Sequence, residues 1–149
     1  MTTKSAYQPD GYQSVIPYLH VNGAARLIAF MKEVFEAKEI AVYPRPDGTV
    51  GHAALRIGDS VIELADVSAE WPAMPCALQV YVPDTDAAYN RALKAGASSL
   101  LPPATQFYGD RTASVRDSSG NNWYIATQIE VVSREEVNKR IAAMEQSKG

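Results

Sequence analysis

Apolar residues recur at helical spacing in three segments of the chain. The three sets are Leu27, Ile28, Met31, Val34 and Phe35; Ala88, Tyr89, Ala92 and Leu93; and Val137, Ile141 and Met144. Spacings of three and four residues place side chains on one face of a helix, so each set predicts a helix. Capping residues support these helices. Asn22-Gly23 is a cap candidate for the first helix, Asp84 and Thr85 are cap candidates for the second, and Gly96 follows the second. Ser133 and Glu136 form a capping box before the third.

Between the helices the chain alternates β-forming runs with turn residues. Eight runs are predicted as strands: Ser14–Val21, Glu39–Tyr43, Thr49–Ile57, Ser60–Ala65, Ala77–Val82, Ser98–Leu101, Arg111–Arg116 and Asn122–Gln128. Gly58-Asp59 predicts a tight hairpin between the third and fourth strands. Pro17 favours an edge position for the first strand, and Pro102-Pro103 is predicted to end the sixth.

The order strand, helix and three strands occurs twice. Val21 matches Val82, an offset of 61 residues, and Ile62–Ala65 matches Trp123–Ala126 at the same offset. We therefore predict an α+β fold made of two tandem βαβββ modules that form a curled mixed sheet, followed by a C-terminal helix. The chain is expected to form a single domain over residues 1–149. Within it, residues 13–66 and 76–129 are the modules, 67–75 a connector and 130–149 the terminal helix.

Composition narrows the functional classes. The 149 residues contain 46% hydrophobic and 21% charged residues, which is ordinary for one globular domain. A net charge of −3 argues against a nucleic-acid partner. The single cysteine and two histidines exclude a Cys-rich or His-rich metal site and an intramolecular disulfide. No apolar run reaches the roughly 18 residues of a membrane span, and the N-terminus lacks a signal-peptide core. We expect a cytoplasmic protein that does not enter membranes.

Four segments, in order, are similar to the vicinal oxygen chelate superfamily, which includes glyoxalase I, bleomycin-resistance proteins, fosfomycin-resistance enzymes and extradiol dioxygenases. They are VIPYLHVNGAARLIAF, PDGTVGHAALRIGDSVIELAD, GDRTASVRDSSGNNWYIAT and SREEVNKRIA. The resemblance covers residues 13–144 and is greatest to the glyoxalase-like, bleomycin-resistance-type subgroup. Asp117-Ser118 departs from the usual Asp-Pro, and Asn121-Asn122 stands where His-Arg is frequent.

The resemblance implies one metal ligand from the first strand and one from the fourth strand of each module. The corresponding positions are Ile16, Glu63, Ala77 and Tyr124. Isoleucine and alanine cannot bind a metal, and one carboxylate with a neutral tyrosine does not hold a divalent cation against water. We therefore expect no metal site of the family type and no cofactor.

The two histidines are the remaining candidates for metal ligands. His20 is four residues from its strand's ligand position, roughly 13 Å along the strand. If the hairpin turns at Gly58-Asp59, Ala54 lies opposite Glu63. His52 then lies diagonally across from Glu63 on the same face, so a contact between them is predicted. Recruitment of a metal by Glu63 with unexpected partners stays open.

The resemblance implies that small molecules bind against the concave faces of the sheets. The resemblance and strand alternation together nominate these ligand-binding residues: Tyr18, His20, His52, Gln79, Tyr81, Tyr108, Arg111, Asn122 and Tyr124. Glu63 is the catalytic candidate, because a carboxylate between Ile62 and Leu64 needs a partner such as His52 or Arg111. The tyrosines are equally suited to a core role. Asp110–Arg111 is predicted to be a structural turn pair, and Trp123 a core residue.

Three functions follow from this pattern. The first is a metal-free, bleomycin-resistance-like homodimer that binds a small, partly aromatic or oxygenated molecule. The second is a lyase, isomerase or dioxygenase-type enzyme of the same superfamily, either metal-dependent or metal-free with Glu63 as base and His52 or Tyr124 as acid. The third is a structural domain whose pocket is filled by its own side chains. Whether the protein is an enzyme stays open at this point.

Overall fold

The computed structural model describes residues 6–148. The first module contains β1 (Tyr18–Val21), α1 (Ala24–Phe35), β2 (Lys38–Pro44), β3 (Val50–Ile57) and β4 (Ser60–Asp66). The second contains β5 (Ala77–Tyr81), α2 (Thr85–Lys94), β6 (Ser98–Thr105), β7 (Asp110–Arg116) and β8 (Asn122–Gln128), and α3 (Arg134–Ser147) follows. The predicted α+β class, the doubled βαβββ order and the terminal helix are confirmed.

Each module forms a four-stranded mixed sheet. The strand orders are β1-β4-β3-β2 and β5-β8-β7-β6. In both sheets the first strand pairs in parallel with the fourth, and the remaining neighbours are antiparallel. Tyr18 pairs with Glu63, and Gln79 pairs with Tyr124. Both pairs are related by the 61-residue offset, so the repeat read from the sequence is also a repeat of strand register.

The chain divides into two compact units. One comprises the described residues through Cys76 together with Ser118–Asn121, and the other comprises Ala77–Asp117 and residues 122–148. Burial of apolar side chains beneath the helices supplies the stability of each unit. Core residues of the first unit include Leu19, Leu27, Met31, Leu55 and Leu64; those of the second include Ala88, Ala92, Val115, Trp123 and Ile125. Trp123 is 1% exposed, which confirms its predicted core position.

The helix starts follow two different designs. The side chains of Asp84 and Ser133 accept hydrogen bonds from the backbone N–H of Ala87 and Glu136, as predicted for caps. At α1 the capping position is Gly23, with a φ of 82° and no side chain to act as acceptor. The acceptor there is Asp66, at the end of β4, whose Oδ1 receives hydrogen bonds from the N–H of Gly23 and Ala24 at 3.1 and 2.9 Å. The cap thus falls within the predicted pair Asn22-Gly23, at Gly23, but its side-chain acceptor is supplied by Asp66.

Two strand boundaries differ from prediction by more than one residue. β1 begins at Tyr18, after Pro17, and lies at the predicted sheet edge. β6 continues to Thr105 through Pro102-Pro103, where the prediction ended it at Leu101. An edge strand tolerates proline because one side makes no ladder hydrogen bonds. The pairing of β6 with β7 is irregular between Leu101 and Ala104, where the prolines lie.

No helix within residues 6–148 combines the length and apolar character needed to cross a membrane.

Candidate functional site

Glu63 lies in the middle of β4, beside Tyr18 on β1 and opposite Ala54 on β3. The predicted Ala54–Glu63 register is confirmed. Side chains two residues apart share a strand face, so His52 lies on the same face as Ala54 and Glu63. His52 Nε2 is 3.4 Å from Glu63 Oε2, which confirms the predicted contact. Glu63 therefore meets its partner within the first module.

Tyr18 extends this contact into a chain of three polar groups. Its hydroxyl lies 3.1 Å from His52 Nδ1. A carboxylate beside Nε2 favours a hydrogen on that nitrogen, which leaves Nδ1 to accept from the Tyr18 hydroxyl. Burial, and then the negative charge of Glu63, raise the pKa of Tyr18, while the Arg45 charge opposes them. Tyr18 is thus a neutral phenol whose hydroxyl is hydrogen-bonded to the His52 ring.

A cavity of about 390 Å³ opens beside the hydrogen-bonded side chains of Tyr18, His52 and Glu63. It is lined by Tyr18, His20, Arg45, Gly51, Ala65 and Trp71. The His20 ring stacks on Trp71 with centroids 5.4 Å apart and planes 12° apart, and Tyr18 lies 5.0 Å from His20 on its strand. His20 Nδ1 is buried and has no hydrogen-bond partner within the part of the chain described here. The cavity therefore combines aromatic side chains with the charged side chain of Arg45, as small-molecule pockets combine apolar walls with a few polar groups.

Trp71 was missed by the sequence interpretation, which treated residues 67–75 only as a connector. Reciprocal hydrogen bonds between the N–H and C=O groups of Ser68 and Trp71 form a tight turn, and the N–H of Met74 donates to the carbonyl of His20. The connector is thereby tied to β1, and the indole is held over the imidazole. A large aromatic side chain in a Pro-rich loop was the signal in the sequence that could have indicated this role.

Arg45 was also missed, because the segment Pro44–Gly48 was interpreted as a turn alone. Its Nη1 donates to Thr49 Oγ1 and to the carbonyl of Val67, both at 3.2 Å. Its Nη2 donates to the carbonyl of Asp66 at 2.9 Å. These bonds hold a permanently charged guanidinium at the edge of the cavity.

The candidate residues of the second unit are arranged differently. Asp110 and Arg111 are successive residues of β7, so their side chains leave opposite faces, and the predicted pairing between them is wrong. The Tyr81 hydroxyl instead donates to Asp110 Oδ2 at 2.7 Å, and this bond is the main cause of a raised pKa of Tyr81. Arg111 makes a two-pronged pair with Asp86 of α2, with both N–O distances 2.9 Å. That pair lowers the pKa of Asp86.

The remaining predicted residues lie on β5, β8 and the turn before β7. Gln79 and Tyr124 are neighbours in the register, and both are exposed. Asn122 accepts a hydrogen bond from Arg116 Nε at 2.9 Å. Tyr108 packs edge-on against Phe107, with ring centroids 5.2 Å apart. A ligand-binding role for these residues remains a proposal.

The side chains do not fit the metal centre that the resemblance implies. Glu63 has one histidine, His52, as its neighbour, and that ring is already engaged by Tyr18. Within residues 6–148, no three His, Cys, Asp or Glu side chains converge on a point where they could bind a metal. A catalytic zinc site commonly needs three protein ligands.

Comparisons with known proteins agree with this architecture. The model of the Glyoxalase/Bleomycin resistance protein/Dioxygenase superfamily matches residues 15–125. An uncharacterized protein of Mycobacterium bovis is 32% identical over 141 residues, covering 85% of this chain and 91% of that protein. An uncharacterized protein of Mycobacterium tuberculosis matches with the same identity, covering 85% and 81%.

Solved structures show the same fold. TioX from Micromonospora sp. ML1 superposes with a TM-score of 0.66 at 24% identity, covering 78% of this chain and 98% of that chain. A glyoxalase/bleomycin resistance protein/dioxygenase family enzyme from Burkholderia phytofirmans PsJN superposes with a TM-score of 0.62 at 20% identity, covering 76% and 96%. At these identities the similarity concerns the fold alone.

Proposed function

The chain belongs to the Glyoxalase/Bleomycin resistance protein/Dioxygenase superfamily, and from this premise we propose that it binds a small, partly aromatic or oxygenated molecule without the superfamily's metal centre. The ligand lies against the sheet face that carries Tyr18, His20, His52 and Glu63. The cavity lined by Tyr18, His20 and Trp71 is the observation that carries this proposal. Its volume is within the range of small-molecule pockets, and an unfilled cavity argues against a purely structural domain.

The proposal includes a homodimer and a cytoplasmic location. Tyr81 and Tyr124, on the second sheet, are 61% and 43% exposed. Covering such aromatic surface with a second copy would remove apolar area from water, which supports dimerisation. Light scattering on the purified chain tests the oligomeric state, and a monomer at all concentrations would contradict it.

A thermal-shift screen of small aromatic and oxygenated compounds tests ligand binding. We expect at least one compound to raise Tm by about 4 °C or more at saturating concentration, because a ligand that binds only the folded state stabilises it. Trp71→Ala should abolish this rise, since it removes one wall of the cavity. Met74→Ala is the matched control, because Met74 lies in the same connector, is 70% exposed and does not line the cavity.

Elemental analysis of protein purified without a His-tag accompanies the screen. We expect substoichiometric zinc, nickel, manganese and iron, and a ligand response that EDTA leaves unchanged. One bound transition metal per chain would contradict the metal-free function, and a negative result across the whole screen would contradict binding itself.

The Tyr18–His52–Glu63 chain supports a second function, catalysis of proton transfer on a small oxygenated substrate. Glu63 would act as base and His52 as acid, since their side chains lie 3.4 Å apart. For such an enzyme, Glu63→Gln should lower turnover roughly 10²- to 10⁴-fold with little change in substrate affinity. Asp59→Asn, in the exposed hairpin turn, is the control. NMR-monitored conversion of a substrate panel provides the measurement, and full turnover by Glu63→Gln would exclude this role.

A further inference from the structure

Arg45 brings a positive charge to the cavity without bringing an acidic partner. The guanidinium has five N–H donors, and its hydrogen bonds to Thr49, Val67 and Asp66 use three of them on uncharged oxygens. Across residues 6–148 no carboxylate lies within 4 Å of it. The nearby carboxylate of Asp47 accepts hydrogen bonds from Thr49, and these bonds, with a smaller contribution from the Arg45 charge, lower the pKa of Asp47. Two N–H groups of a half-buried cation therefore remain for an acceptor outside the chain.

The second module serves as an internal comparison for this turn. The N–H of Arg45 donates to the carbonyl of Thr49 at 2.7 Å, and the N–H of Gln106 donates to that of Asp110 at the same distance. Gln106 is thus the counterpart of Arg45, at an offset of 61 residues. It is a neutral amide, and its Nε2 donates to Thr112 Oγ1 at 3.0 Å. The same backbone turn therefore does not require an arginine.

Two charged side chains of the second module, by contrast, have partners within the chain. Arg111 is held in a two-pronged pair by Asp86, and Asp110 receives a hydrogen bond from Tyr81. Arg45 has no counterpart of Asp86. The two modules thus share a backbone design, but the first leaves a cation facing a cavity.

The cavity also selects the shape of its ligand. The stacked rings of His20 and Trp71 and the nearby ring of Tyr18 present flat apolar surfaces. Flat aromatic molecules pack well on such surfaces.

We propose that the cavity binds a planar aromatic carboxylate of one or two rings, with its carboxylate on Arg45 and its ring against Trp71 and Tyr18. This inference rests on the proposed small-molecule binding function and names the class of ligand. The carboxylate lies at the Arg45 end because Glu63, which is paired with His52, would repel it at the other end. Guanidinium N–H groups and carboxylate oxygens form short, charge-assisted hydrogen bonds, so the acid is preferred over its neutral analogue.

Three probes test this preference on the wild-type protein. They are 2-naphthoate, its neutral amide 2-naphthamide, and cyclohexanecarboxylate, which has the charge but no flat ring. We expect the naphthoate to bind roughly 10- to 100-fold more tightly than either of the others by calorimetry. The chain has two tryptophans, and Trp123 is buried in the other unit. In ¹⁵N-labelled protein the naphthoate should therefore shift the indole N–H peak of Trp71 and leave that of Trp123 in place.

Substitutions at Arg45 provide the second measurement. Arg45→Gln should reduce the affinity for naphthoate to that for the amide. Arg45→Lys should retain part of the affinity for naphthoate, because the positive charge remains while the paired N–H donors of the guanidinium are lost. Arg26→Gln, which removes an exposed arginine from α1, is the matched control and should bind naphthoate as the wild type does. Circular dichroism confirms folding of each variant, and the acid–amide comparison in the wild type decides the matter if Arg45→Gln does not fold.

The outcomes separate this inference from the function on which it rests. Equal affinity for the acid and the amide would overturn the carboxylate assignment and leave small-molecule binding standing. A Trp71 peak unmoved by all three probes would also overturn it. The binding function itself fails only if the broad thermal-shift screen is negative as well.

Discussion

Asp66→Ala is expected to lower the free energy of unfolding by about 3–5 kcal/mol. The carboxylate accepts hydrogen bonds from the backbone N–H of Gly23 and Ala24 through Oδ1, and from that of Val50 through Oδ2 at 2.8 Å. A hydrogen bond to a charged group contributes about 1.5–3 kcal/mol, and a helix cap typically about 1. One side chain thereby connects the start of α1, the start of β3 and the end of β4.

Urea denaturation monitored by circular dichroism measures this effect. Asp66→Asn should lower the free energy of unfolding by about half as much as Asp66→Ala. The amide keeps one carbonyl oxygen, which can still accept hydrogen bonds but carries no charge. Asp59→Ala, in the exposed hairpin turn, should change the unfolding free energy by less than about 0.5 kcal/mol. A loss below about 1 kcal/mol in Asp66→Ala would contradict the cross-linking role.

The two tryptophans are expected to separate stability from binding. Trp123→Ala should lower the free energy of unfolding by about 3–5 kcal/mol, because the ring is 1% exposed and its removal leaves a cavity in the core of the second unit. The change also deprives the Asp117 carboxylate of the Trp123 Nε1–H, which donates at 2.8 Å. Trp123→Phe retains most of the ring but not this donor and should lose about 2 kcal/mol.

Trp71→Ala provides the contrast. Trp71 is 59% exposed, so its removal should change stability by less than about 1 kcal/mol while ligand binding is lost. Thermal unfolding and ligand titration of both variants measure the two effects. If Trp71→Ala is as destabilising as Trp123→Ala, Trp71 is a core residue and the cavity assignment is wrong.

The helices, their caps and the hairpin register could be predicted from the sequence, because each depends on residues that are close together in the chain. The period of the apolar residues specifies the three helices, and Asp84 and Ser133 cap helices that begin within the next residue. The tight turn at Gly58-Asp59 sets the hairpin register, which is why the His52–Glu63 contact could be predicted. Local chemistry misled the prediction at Pro102-Pro103, because tolerance of proline depends on whether a strand is at the sheet edge.

The candidate site was less predictable because its parts are distant in sequence. The acceptor for the α1 cap is Asp66, which is more than 40 residues away in sequence. No residue near α1 in the sequence predicts this contact. Arg45 belongs to a turn and Trp71 to a connector. In such segments the spacing of apolar residues does not predict which side chains come together. Their role depends on which side chains the fold places beside His20.

The amino-acid sequence by itself determined the two-module α+β architecture, the 61-residue repeat, the superfamily resemblance and the departure from its metal ligands. These properties follow from residue type, spacing and turn chemistry, all of which act over a few residues. Only the tertiary structure decided that Arg111 pairs with Asp86, and that Arg45 lines a cavity with no carboxylate within 4 Å of it among residues 6–148. Partner choice among charged groups is set by distances of a few ångströms, and those distances exist only once strands and loops far apart in the chain have packed together.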